Sequence, residues 1–164
     1  MFEIGLIGCG RRLSGLVKAL HALEPETRFT VADPDREGAR WRMRQRGFDT
    51  DDIRFVPDAE ALMEHADKLD GIMIGTRCKD HAPAAVTVAP ADLPLFLEKP
   101  VAISFEQLEE LADAYRGSEN KVVVSFPLRV TPIFRAALEI VRSGRLGTIN
   151  QIQAVNNVPY GGTY

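Results

Sequence analysis

The chain has 164 residues, 45% of them apolar and 26% charged, a balance that excludes disordered, collagenous and coiled-coil classes. At that length roughly two-thirds of the unfolded surface can be buried, so a core needs no disulfide or metal, and two cysteines (Cys9, Cys78) fit a reducing cytoplasm. The net charge of −3 is uneven, with residues 57–120 acidic and 121–164 basic, and shows neither the domain-wide basic excess of a nucleic-acid binder nor a lipid-compatible stretch.

Met1-Phe2-Glu3-Ile4 has no basic n-region, so no secretory signal is expected. Phe2 to Ile7 reads as a buried strand, and Leu13, Leu16, Val17 and Leu20 follow at helical spacing. Phe29 to Ala32 is a second strand, ending at Asp33-Pro34. A helix from near Asp35 to Arg46 carries Arg36, Arg40, Arg42, Arg44 and Arg46, read as a solvated face, and Gly47 stops it.

Ile53 to Val56 is a third strand, and Asp58 caps a helix carrying Leu62, Met63 and Ala66. Gly71 to Gly75 is a fourth, with His81 to Val88 helical. Pro94 to Leu97 is a fifth, and Ser104-Phe105-Glu106-Gln107 is a capping box opening a helix with Leu108, Leu111, Ala112 and Tyr115 inward. Lys121 to Phe126 is a sixth. Thr131 caps and Pro132 starts a helix that buries Phe134, Ala137, Leu138 and Val141 and stops at Gly144.

Six strand–helix units with continuous apolar strands predict an α/β fold, a doubly wound parallel sheet with helices on both faces. Thr148 to Val158 alternates in polarity and reads as a strand of a different, half-exposed sheet. The expected division is therefore a domain over 1–147 and the first strand of a truncated second domain over 148–164.

The chemistry falls at the carboxyl ends of the strands, where open α/β sheets bind ligands. Gly8-Cys9-Gly10 allows a tight turn and a close backbone approach to a pyrophosphate, with helix N–H groups behind it. The third glycine of the usual fingerprint is replaced by Leu13. Asp33 ends the second strand, where a carboxylate can accept from adenosine ribose hydroxyls and repels a 2′-phosphate, which favours NAD over NADP. Asp33 also suits a plain turn before Pro34. Two further segments, Thr76-Arg77-Cys78-Lys79-Asp80-His81 and Glu98-Lys99-Pro100, close the fourth and fifth strands.

With these motifs the chain resembles the Gfo/Idh/MocA oxidoreductases. Gly8-Cys9-Gly10, Asp33, Thr76 to His81, Glu98-Lys99-Pro100, Arg129 with Pro132, and Gly144-Arg145-Leu146-Gly147 occur in that family's order. The resemblance implies a Rossmann domain binding NAD, with NADP the alternative. It implies that Gly8, Cys9, Gly10, Arg11 and Arg12 hold the pyrophosphate and Asp33 the adenosine ribose. Thr76, Arg77 and His81 would line the nicotinamide side, Arg129 would belong to the cofactor site, and Glu98 would meet the nicotinamide ribose.

Lys99 would face the nicotinamide and the substrate carbinol as the catalytic residue. A Lys crowded there can lose its proton more easily or polarise a developing alkoxide. His81 serves equally well as a packing residue at its helix start, and no metal site is expected. The implied reaction moves a hydride between nicotinamide and a carbinol of a sugar or polyol, with this chain alone catalytically incomplete. A homo-oligomer paired along Thr148 to Val158 is expected. A non-catalytic nucleotide-binding regulator or scaffold is the alternative. An S-adenosylmethionine-dependent transferase would leave Glu98-Lys99-Pro100 without a reason.

Overall fold

The computed structural model describes residues 1–119 and 121–155. The chain divides into two compact units, Met1–Ser125 and Phe126–Tyr164, so the division expected at 147–148 falls inside the second. The first unit contains a six-stranded sheet with β1 Glu3–Ile7, β2 Arg28–Ala32, β3 Arg54–Val56, β4 Gly71–Ile74, β5 Leu95–Leu97 and β6 Val122–Val124. Every pairing is parallel and the spatial order is β3-β2-β1-β4-β5-β6. Five helices accompany it, α1 Arg11–Leu23, α2 Arg36–Gln45, α3 Ala59–Met63, α4 His81–Val88 and α5 Phe105–Ala114.

The central strands β1, β2, β4 and β5 are mostly apolar because both faces of the sheet are covered there, whereas Val122 and Val123 of the edge strand β6 are exposed. Leu6, Phe29 and Val31 turn toward one core with Leu13 and Val17 of α1 and Ala39 and Met43 of α2. Ile7, Ala32, Ile72, Ile74, Leu95 and Leu97 turn to the other, with Leu62 of α3 and Ala85 and Val88 of α4. Alternate residues of one strand thus serve opposite cores, as the pleat requires.

The register positions the site. Ile7 pairs with both Ala32 and Ile74, Ile74 with Leu97, and Leu97 with Val124. The residues that follow, Asp33, Gly8, Gly75, Glu98 and Ser125, therefore line one edge. Each is held by its own N–H: Asp33 donates to the Val56 carbonyl at 3.2 Å, Gly8 to Ala32 at 2.9 Å, Gly75 to Ile7 at 2.9 Å, Glu98 to Ile74 at 3.0 Å and Ser125 to Leu97 at 2.9 Å. Strand order reverses between β1 and β4, which opens a crevice at this edge.

Some expectations are corrected. On α5, Leu108 and Ala112 are exposed, and Leu111 and Tyr115 only half-buried. An apolar cavity of about 240 Å³ separates this helix from β5 and β6, with Leu97, Val101, Leu111 and Val124 in its walls. In the second unit, α6 (Pro132–Arg142) starts with the expected cap, the Phe134 N–H donating to Thr131 Oγ1 at 3.4 Å. Within its unit none of Phe134, Ala137, Leu138 or Val141 is buried, because an amphipathic helix needs a second layer that the unit's described residues do not supply. Residues 148–155 form no strand, since no neighbouring strand pairs with them, and 156–158 lie outside the described residues.

Candidate functional site

The loop after β1 opens with Gly8 at φ +76°, a left-handed conformation that strains any other L residue. A Cβ there would also meet the Thr76 backbone at 2.7 Å, so the turn and the end of β4 touch. Gly10 differs. Its backbone (φ −70°, ψ −179°) suits any residue, and a Cβ would find its nearest neighbour at 3.8 Å. The protein itself does not require the bareness of Gly10, which leaves open space over the helix start.

That start carries no side-chain cap and no acidic residue in its first turn. In contrast α2, α3, α5 and α6 cap themselves through Asp35, Asp58, Ser104 and Thr131. Uncapped N–H groups, a positive dipole end and the exposed Arg11 together fit an anion such as a pyrophosphate.

Leu13, where a glycine would normally give close packing, is fully buried. Its partner is Gly75, where a Cβ would stand 2.9 Å from Leu13 Cβ. The bare position has moved from the helix to the end of β4, and the helix still seats close to the sheet.

Asp33 is 8% exposed, and its Oδ1 accepts the Asp35 N–H at 2.9 Å. Its Oδ2 lies 3.6 Å from Arg42 Nη2, and the same guanidinium donates through Nε to the Cys9 carbonyl at 2.7 Å. Burial, with the Asp33 charge adding to it, pushes the Cys9 thiol up to about 11, so it stays protonated and inert.

Four of the five arginines in the run, Arg40, Arg42, Arg44 and Arg46, therefore do more than solvate a face, while Arg36 is exposed as charge patterning suggests. Arg46 donates to the Arg11 carbonyl at 3.2 Å, Arg44 to Thr50 Oγ1 at 2.8 Å, and Arg40 to the Thr50 carbonyl at 3.3 Å while its guanidinium lies 5.2 Å from the centre of the Phe55 ring. These side chains spend donors on carbonyls of the glycine loop and on the carbonyl and hydroxyl of Thr50 in the turn after α2. Ala39 and Met43, buried four apart, mark the inward face, and the position of Arg42 and Arg46 beside it was the available signal.

At the other side of the crevice, Glu98 is 4% exposed. Its Oε1 accepts from Arg12 Nε at 2.6 Å and Ser125 Oγ at 2.9 Å, and its Oε2 from the Lys99 N–H at 3.3 Å. Arg12 is therefore committed through its side chain to Glu98. Ser125, which sequence reasoning missed, follows β6 in the same register that places Glu98 after β5. Lys99 is exposed and Thr76 half-buried at this edge, with Arg77 exposed beside them.

His81, expected either on the nicotinamide side or as a packing residue at its helix start, is buried between two loops. It is 2% exposed, with Nδ1 2.7 Å from the Pro100 carbonyl and Nε2 3.3 Å from the Thr76 carbonyl. The ring thus lies between backbone carbonyls of the two loops, with one nitrogen facing each. Arg129 belongs to the second unit, in a short turn over Pro127–Val130, where its N–H donates to the Phe126 carbonyl at 3.0 Å.

Residues 2–126 match the family described as "Oxidoreductase family, NAD-binding Rossmann fold" (GFO_IDH_MocA). The chain belongs to this family. It is 26% identical over 148 residues to the rhizopine catabolism protein MocA of Rhizobium meliloti, covering 90% of this chain and 44% of that protein. It is 27% identical over 158 residues to the inositol 2-dehydrogenase of Acidothermus cellulolyticus, covering 88% and 42%.

Among solved structures, the myo-inositol dehydrogenase of Lactobacillus casei in complex with NAD(H) and myo-inositol shares the fold, with a TM-score of 0.78 at 22% identity over 90% of this chain and 43% of that one. The myo-inositol dehydrogenase of Corynebacterium glutamicum aligns with a TM-score of 0.72 at 26% identity, again over 90% and 43%. The chain thus spans less than half the length of the relatives it matches. It is an NAD-binding oxidoreductase domain related to the inositol dehydrogenases. Among the described residues, no helix is long and apolar enough to cross a membrane.

Proposed function

We propose that this chain supplies the cofactor half of a dehydrogenase acting on a carbinol of a sugar or polyol. The observation that carries the reading is the shared edge. An uncapped α1 start beneath the bare Gly10, the fixed carboxylate of Asp33, and the Glu98-Lys99 pair all stand at the carboxyl ends of β1, β2 and β5, around the point where strand order reverses. The inositol dehydrogenase relatives support the polyol class.

In this reading Gly8, Gly10 and the first turn of α1 hold the pyrophosphate, and Asp33 accepts from the adenosine ribose. Glu98 already spends Oε1 on Arg12 and Ser125, so its less engaged Oε2 is the acceptor offered to the nicotinamide ribose. Thr76 and Arg77 border the nicotinamide side. Bound there, the nicotinamide would supply hydride chemistry that no side chain can. Lys99 is the catalytic residue, its exposed ammonium placed to hold a proton at, or stabilise charge on, the carbinol oxygen.

The test is a titration of the 164-residue chain with NADH, followed by its nicotinamide fluorescence. Saturable binding, with no polyol-dependent NAD reduction by the chain alone, is expected. Absence of binding at millimolar NADH overturns the reading in favour of a non-catalytic scaffold.

A further inference from the structure

The inference rests on the NAD(H) reading and concerns the adenosine end, where Asp33 by itself argues against a 2′-phosphate. Asp33 does not stand by itself. Arg42 reaches in from α2, its side chain three-quarters buried, and divides its donors among three partners. Nε is 2.7 Å from the Cys9 carbonyl, Nη2 is 3.6 Å from Asp33 Oδ2, and Nη1 is 3.5 Å from Asp35 Oδ2. A planar guanidinium hydrogen-bonded to the Cys9 carbonyl and set between the Asp33 and Asp35 carboxylates has a fixed orientation, which the point charge of a Lys lacks. It also changes the local charge. Asp33 and Asp35 bring two negative charges to the end of β2, and Arg42 cancels one of them beside the carboxylate that would face a ribose.

We propose that Arg42 is a positioning residue for Asp33 that offsets its charge, so that the site takes a 2′-phosphorylated dinucleotide as well as the 2′-hydroxyl form. Asp33, oriented by the Asp35 N–H and by Arg42, accepts from the ribose of NAD(H). The partly neutralised cluster repels the 2′-phosphate of NADP(H) far less than a bare pair of carboxylates. Arg36, exposed at the first residue of α2, is the rival cation for the same phosphate.

The experiment titrates NADH and NADPH into the 164-residue chain and compares Kd ratios among wild type, Arg42→Met, Arg42→Lys and Arg36→Gln. Wild type is expected to bind both within about tenfold, and Arg42→Met to weaken NADPH roughly tenfold more than NADH, as removal of one nearby unit charge implies. Arg42→Lys keeps the charge but loses the fork, so it weakens both dinucleotides alike and preserves the ratio. Equal weakening of both by Arg42→Met would reduce Arg42 to a structural strut, and a ratio moved by Arg36→Gln instead would assign the effect to Arg36. Either result overturns the proposal. If Arg42→Met does not fold, the wild-type ratio and Arg42→Lys carry the test, and a wild-type preference for NADH above about a hundredfold overturns it. Wild type that binds neither dinucleotide overturns the underlying NAD(H) reading, whereas binding with an unmoved ratio overturns only the role of Arg42.

Discussion

Leu13→Ala tests how this chain dispenses with the third glycine of its phosphate loop. Leu13 is fully buried, and the atom facing its Cβ belongs to Gly75, which has no side chain to move into a vacated space. Removing three buried carbons at ~0.8 kcal/mol each gives roughly 2.4 kcal/mol in lost transfer energy. The cavity adds to that, because strand backbone on one side and helix backbone on the other cannot collapse into it, and the total is about 3–4 kcal/mol. At this chain length the loss corresponds to about 10 °C in Tm. Urea unfolding followed by far-UV circular dichroism measures it directly, with an unchanged m-value confirming that the native state alone was altered. NADH affinity should stay within a few-fold, since the Leu13 side chain faces the sheet and not the crevice. A loss below about 1 kcal/mol would mean that the Leu13–Gly75 contact does not seat the helix.

Two further outcomes follow from the same loop. Gly8→Ala places a Cβ 2.7 Å from the Thr76 backbone at φ +76°, so it should cost at least about 2 kcal/mol and abolish NADH binding; a near-neutral melt would show that the turn relaxes freely. With Cys9 buried and its thiol raised to about 11 while Cys78 is exposed, iodoacetamide at pH 8 should modify one thiol per native chain and a second only on unfolding, counted by mass spectrometry. The protonated Cys9 favours the native state, so its contribution is complete below about pH 9 and is lost as pH rises through about 11. Cys9→Ala should flatten that part of the stability profile, leaving the fall above about pH 10 that Tyr115 brings, its hydroxyl raised to about 12 by burial.

The strands and the glycine turn were legible because the sequence states them twice. Continuous β-branched runs mark buried parallel strands, and each run ends in a residue that cannot continue it, such as Gly8, Asp33 or Gly75. Register then does the rest, carrying Glu98 and Ser125 to the same edge. The arginines of α2 were not legible, because charge on a helix reads as solvation unless its acceptors are known. Several of those acceptors are backbone carbonyls, of Cys9, Arg11 and Thr50, which no side-chain pattern announces. His81 was ambiguous for the same reason, since both its partners are carbonyls. Leu13 looked like a defect in the fingerprint until Gly75 was found opposite, a compensation visible only across the β1–β4 crossover. The expected burial of α6 rested on a periodicity that specifies an apolar face without specifying what covers it.

The contact between Arg12 and Glu98 determines whether the two sides of the crevice act as one rigid frame. Arg12 lies in the first turn of α1, which follows β1, Glu98 directly follows β5, and β4 lies between those strands, so the pair ties the loop after β1 to the loop after β5. The two partners differ in exposure, the Arg12 side chain at 53% and Glu98 at 5%. A fully exposed pair would couple by at most about 1 kcal/mol, whereas truncating one partner of a fully buried pair costs about 3–5 kcal/mol. With one end wet and the other dry, a double-mutant cycle of Arg12→Gln and Glu98→Gln should return about 1–2 kcal/mol. Arg12→Gln alone should cost more than Glu98→Gln, because it leaves the buried Glu98 carboxylate without its countercharge, while Glu98→Gln leaves a guanidinium that water can reach. Salt should weaken the coupling only slightly, since screening acts mainly on exposed charges. A coupling below about 0.3 kcal/mol, or one that vanishes in 1 M salt, would show that the two loops move independently and that the crevice takes its shape only around a bound dinucleotide.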